Sequence, residues 1–104
     1  MTGKNKTDIH QQICRELTEI YRQKNSAYGD SFAALRAEVP NAVLVRIFDK
    51  YSRLKNLLGG SNDREIKQFV KSESIEDTLK DLANYCIMEL VERRLENKIS
   101  AVGE

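Results

Sequence analysis

The stretch Ser74-Ile75-Glu76-Asp77-Thr78-Leu79-Lys80-Asp81-Leu82-Ala83-Asn84-Tyr85-Cys86 decides the fold. Ile75, Leu79, Leu82, Cys86 and then Leu90 recur every three or four residues, the spacing of one face of an α-helix. Ser74 stands three residues ahead of Asp77, as in a capping box, so the spacing predicts a helix from about Ser74 to Ile99. Two other segments share that period. Ile9, Ile13, Leu17 and Ile20 predict a helix from Thr7, its expected N-cap, to about Lys24. Leu44, Ile47, Tyr51, Leu54 and Leu58, widened by Phe48, predict another from about Asn41 to Leu58, closed by Gly59-Gly60. Ser31 is placed to cap a short turn over Phe32–Glu38, which Pro40 interrupts. Residues 61–72 read as a short helix or an ordered loop. No segment alternates with the period of a strand. The expectation is an all-α chain: a small bundle of three main helices plus short helical turns, completed by oligomerisation. A tail over residues 1–6 and a frayed end over 100–104 flank one helical domain, residues 7–99.

A chain of 104 residues fits one domain, and its 40% hydrophobic content suffices for a small core. The 17 basic and 16 acidic residues leave a formal charge of +1. That balance gives no broad field for holding a duplex nucleic acid, so phosphate recognition has to be local. No run approaches a membrane span, and the N-terminus has no apolar leader core, so the expected compartment is the cytoplasm. Cys14 and Cys86 lie inside helical patterns and are expected as reduced, buried thiols. His10 is the only histidine, which argues against zinc and against a histidine-based catalytic unit.

At about 100° per residue, Asp77, Asp81 and Asn84 share one face, opposite the apolar stripe of their helix. Further along, Met88, Val91 and Leu95 continue that face, so the helix is apolar on nearly all sides and a second subunit is expected to cover it. The middle helix carries Arg46, Asp49, Arg53 and Asn56 opposite its own stripe. Asp49 and Arg53 are spaced to pair on an exposed surface. If the two polar faces converge, Asp49 approaches Asp77 and Asp81, bordered by Arg46, Lys50 and Arg53. Three carboxylates suit Mg²⁺, and the cations suit phosphates. The segment Lys24-Asn25-Ser26-Ala27-Tyr28-Gly29-Asp30 reads as a loop, with Tyr28 offering a face to a base and Asn25 an amide to its edge.

Three segments then match a family pattern in order and spacing. They are Lys24-Asn25 with Tyr28-Gly29-Asp30-Ser31-Phe32, then Arg46-Ile47-Phe48-Asp49-Lys50 with Arg53-Leu54 and Asn56-Leu57-Leu58, then Glu73 to Leu79 with Asp81-Leu82-Ala83-Asn84-Tyr85. Over about residues 9–95 the chain resembles the nucleotide-modification-associated domain family of phages and prophages. That family is distantly similar to the all-α nucleoside triphosphate pyrophosphatases, the MazG and dimeric dUTPase group. The resemblance implies a homodimer or homotetramer with nucleotide pockets between helices. It implies nucleotide contacts from Lys24, Asn25, Tyr28, Arg46, Lys50, Arg53, Asn56, Asn84 and Tyr85. In catalytic relatives, acids on two helices bind Mg²⁺; here Asp49, Asp77 and Asp81 are the candidate ligands, and Asp49 and Asp81 the candidate catalytic pair. Thr78 stands where one acid is expected, and Arg46 and Ser52 flank Asp49 where another should be. The chain is therefore expected to hold a nucleotide, for example sequestering a cyclic dinucleotide or cyclic ADP-ribose immune signal in a host cytoplasm. Mg²⁺-dependent pyrophosphate release is the enzymatic alternative, and a helical protein-interaction module the non-nucleotide one.

Overall fold

A computed structural model describes residues 5–28, 30–59 and 68–103, with side chains described as far as residue 97 except at 28 and 68–70. The described residues form four α-helices and no strand: α1 (Lys6–Tyr28), α2 (Ser31–Glu38), α3 (Ala42–Gly59) and α4 (Gln68–Gly103). The chain divides into two compact units, residues 1–31 and 32–104. The first contains α1. The second is built mainly on α3 packed against α4, with α2 against α4.

Helix boundaries differ from expectation where local hydrogen bonds decide them. The α1 N-cap is Asn5, not Thr7: the Asp8 backbone N–H donates to Asn5 Oδ1 at 2.8 Å. At its other end α1 continues through Lys24, Asn25 and Ser26 to Tyr28, so the expected loop is mostly helix. Ser74 is not a cap, because α4 already starts at Gln68. The backbone C=O of Ser74 instead accepts the Thr78 hydroxyl at 2.6 Å. The α4 helix runs to Gly103, past the helix end expected near Ile99. Residues 61–67, part of the segment read as helix or loop, lie outside the described residues. Between α2 and α3, Asn41 adopts φ 57°, a left-handed conformation that asparagine tolerates better than most residues. Its carbonyl accepts the Leu44 N–H at 2.9 Å and opens α3.

The packed faces are the main correction. In the second unit the closely buried side chains are Phe32, Ala42, Thr78 and Asn84. The stripe expected as core lies largely outside: Leu44, Phe48, Tyr51 and Leu58 on α3, and Leu79, Cys86 and Leu90 on α4, are exposed. Cys14 and Cys86 are free, as expected, but exposed rather than buried. The side of α3 that meets α4 instead carries Arg46, Lys50 and Arg53 among the half-buried Val43, Ile47, Leu54 and Leu57. Long cationic side chains bury their stems and direct their charged ends to acceptors, so a face that counts as polar by letter packs as a mixed seam.

α2 is fixed to α4 by one ring contact and one charged clamp. Phe32 lies 5.9 Å from the Tyr85 ring, tilted by 52°. Arg36 grips Glu89 with two hydrogen bonds, at 2.8 and 2.9 Å, and donates to Glu96 at 2.5 Å. Arg93 adds a third bond to Glu89, at 2.7 Å. The Arg36 hydrogen bonds, helped by Arg93, hold the Glu89 carboxyl down at about 2, while Arg36 is itself pushed up. A carboxyl depressed in the folded state stabilises the fold above its unfolded pKa, about 4.3, and that contribution disappears as pH falls toward 2. The melting temperature is therefore expected to fall across that window, and Glu89→Gln to flatten part of the fall. Identical pH profiles for the two proteins in thermal melts followed by circular dichroism would remove the clamp from the account.

Candidate functional site

α3 and α4 run antiparallel, so a step of three residues forward on α3 meets a step of three back on α4. Lys50 Nζ lies 3.6 Å from Asp81 Oδ2, and three residues on, Arg53 Nε donates to Thr78 Oγ1 at 2.9 Å. The Thr78 hydroxyl in turn donates a hydrogen bond to the Ser74 carbonyl one turn earlier, a common use of a threonine inside a helix. Its side chain is thus both acceptor and donor, which is why a hydroxyl only 1% exposed is tolerated there.

The arrangement fixes the Arg53 guanidinium by its inner nitrogen. Among the described residues no bond is formed by its two terminal nitrogens, the pair that can grip an oxyanion side by side. Lys50, half-buried beside Asp81, comes next along α3, and Arg46 follows one turn earlier, 3.7 Å from Asp49 Oδ2. The Arg46–Asp49 pair is about half exposed, so water screens it. Two of these three cations face carboxylates, Asp81 and Asp49, so the excess positive charge of the row rests on Arg53, whose partner is the neutral Thr78 hydroxyl.

The candidate residues separate into groups. Arg53, Lys50 and Asp81 meet at the α3–α4 seam, with Thr78. Asn84 is buried on α4, and Tyr85 is half-buried against Phe32. Asn56 is exposed on α3. Lys24 and Asn25 lie on the last turns of α1, in the other unit, and the Tyr28 side chain is outside the described residues. The expected carboxylate set does not assemble: Asp49 turns to Arg46, Asp81 to Lys50, and Asp77 is exposed. Among the described residues no three His, Cys, Asp or Glu side chains gather as metal ligands. The expected Asp49–Arg53 pair is replaced by Asp49–Arg46, because Arg53, though exposed as a residue, directs its Nε to Thr78 on α4. Thr78 is the site residue that residue types alone passed over. Its signal was a β-branched hydroxyl one turn after Ser74, on the same face as Asp81 and Tyr85.

An all-α protein whose two main helices join along a cationic, hydroxyl-lined seam is the class defined by these observations. The chain belongs to the family described as nucleotide modification associated domain 1, whose model matches residues 24–92. That span takes in α2, α3 and the part of α4 that carries the seam. No curated protein and no solved structure matches the chain. None of the described helices is long and apolar enough to cross a membrane.

Thr78→Val keeps the shape and removes both bonds of the hydroxyl. It is expected to destabilise the fold by about 1–3 kcal/mol, since Arg53 Nε loses a part-buried partner. Asp77→Ala, at an exposed position four residues before Asp81, is expected to stay within about 0.5 kcal/mol of the parent. Urea denaturation of both variants tests the difference; equal stabilities would mean that Thr78 does not hold the seam.

Proposed function

We propose that the α3–α4 seam holds the phosphate of a nucleotide, without turnover, between helices of a homo-oligomer. The observation that carries this reading is the Arg53 guanidinium, anchored through Nε on buried Thr78 with its terminal fork open beside Lys50 and Arg46. A guanidinium fixed before binding loses less freedom when it takes an oxyanion, and its planar fork matches two phosphate oxygens. Membership of a nucleotide-modification-associated family supports a nucleotide as the anion's carrier. Asn84, Tyr85 and Asn56, which belong to the same unit as the seam, remain the candidates for the sugar and base.

Mg²⁺ is given no role. The residues present in one chain do not fit it, because Asp49, Asp77 and Asp81 stay apart and two of them already face cations. Holding without hydrolysis needs only affinity, which is also what sequestration of a nucleotide signal requires.

The test is thermal melting against nucleoside mono-, di- and triphosphates and cyclic dinucleotides, each with and without Mg²⁺. A ligand at 100 times its Kd adds about 2.7 kcal/mol to the native state, a shift of several degrees. Arg53→Ala is expected to weaken binding by about 10- to 100-fold, the worth of a charged hydrogen bond. Arg53→Lys is expected to recover only part of it, because an ammonium lacks the fork. No shift with any nucleotide would end the reading in favour of a helical interaction module. Pyrophosphate released in the same mixtures would replace holding by hydrolysis.

A further inference from the structure

We infer that a second copy of this chain docks on the apolar flank shared by α3 and α4. The inference deepens the oligomer named above by identifying its face, and it stands whether or not a nucleotide binds. Because the helices are antiparallel, residue numbers turn in opposite senses about the seam. The residues just beyond the seam row on α3 (Leu44, Tyr51, Leu58) and those just beyond it on α4 (Ile75, Leu79, Leu82, Cys86) therefore emerge on one side of the pair.

Ile75 and Leu82 are half-buried, but the larger part of this flank and its margin is exposed. Leu44 is 61% exposed, Phe48 64%, Tyr51 54%, Leu58 64%, Leu79 49% and Leu90 54%. At these exposures the six leave roughly 600–700 Å² uncovered, against the 300–600 Å² of the largest patch on a typical monomer. A stable dimer takes about 800 Å² from each partner, so the patch with a polar margin matches one half of such an interface.

Spacing identifies the occupant as a pair of helices. On α3 the run 44, 48, 51, 55, 58 follows steps of four, three, four and three residues, and on α4 the run 75, 79, 82, 86 follows four, three and four. That is the seam pattern of helices packed side by side, whose natural complement is another such pair. A second copy supplies it: two α3–α4 pairs joined on these flanks make a four-helix bundle with the stripes inside. Lys55 is the only charged residue in the α3 run, in keeping with the charge depletion of interface cores. The face differs from the Met88, Val91 and Leu95 surface that the sequence suggested, and the aromatic anchors Phe48 and Tyr51, 6.5 Å apart, sit on it.

The test is the mass of the full chain by light scattering during gel filtration, from about 5 to 100 µM, nucleotide-free and with reductant because Cys14 and Cys86 are exposed. The expected result is at least two copies of the 11.9 kDa chain. Phe48→Glu and Leu44→Glu are each expected to raise the dissociation constant by about 100-fold, giving monomers with unchanged helical circular dichroism. Leu95→Glu is expected to leave the assembly intact. If Phe48→Glu fails to fold, Leu44→Glu decides alone. A monomeric parent at the highest concentration overturns the inference. So does assembly that survives the folded Phe48 or Leu44 variant, or assembly abolished by Leu95→Glu alone. Nucleotide-dependent melting of a monomer would refute this inference and spare the seam; a dimer blind to every nucleotide would do the reverse.

Discussion

The hydrogen bond from Arg53 Nε to Thr78, continued to the Ser74 carbonyl, sets how the rest of the second unit is arranged. An arginine directed at a neighbouring helix needs an acceptor there, and a buried threonine needs partners for its hydroxyl. Each meets the other's need. The match fixes the rotation of α3 about its axis. Once Arg53 faces α4, Lys50 comes to Asp81 and Arg46 comes to the rim, because three- and four-residue steps keep one helical face.

The same rotation determines where the apolar residues go. Leu44, Tyr51 and Leu58 sit about a quarter turn or more from the seam row, and Phe48 further still, so a face that engages α4 through Arg53 and Lys50 leaves them outside. The chain thus separates two surfaces that a simple bundle would merge. One is a seam of charged ends and hydroxyls, suited to an anion. The other is a bare stripe, suited to helices. Arg36 completes the unit by tying α2 to Glu89 and Glu96 of α4.

Much of this was legible in the sequence, and the failures share a cause. The helical period gave an all-α chain and three main helices, and Gly59 marked the end of α3 as expected. The Lys50 and Arg53 approach to α4 followed from facing polar stripes. Period alone, however, reports that a stripe exists and not which side a neighbour takes. The spacing puts Leu79 and Leu90 in the core because a lone helix buries leucine first. With the partner surface supplied by the same chain, the mixed face won, and the Arg53–Thr78 match is a long-range pairing that no local window contains. Asp49 shows the limit at the scale of one residue: spacing allowed it Arg53, but Arg53 had a buried acceptor elsewhere and Arg46 was left as its neighbour. The α1 boundary moved for a purely local reason, since Asn5 reaches the Asp8 N–H and caps the helix two residues earlier than Thr7 could.

The decisive measurement is a double-mutant cycle on the seam: urea stabilities of the parent, Arg53→Ala, Thr78→Val and the double variant. Side chains bonded across a part-buried interface are coupled, so the account predicts an interaction energy of about 0.5–2 kcal/mol. Additive losses, with a coupling near zero, would show that Arg53 and Thr78 do not meet, and the seam with its open guanidinium fork would have no basis.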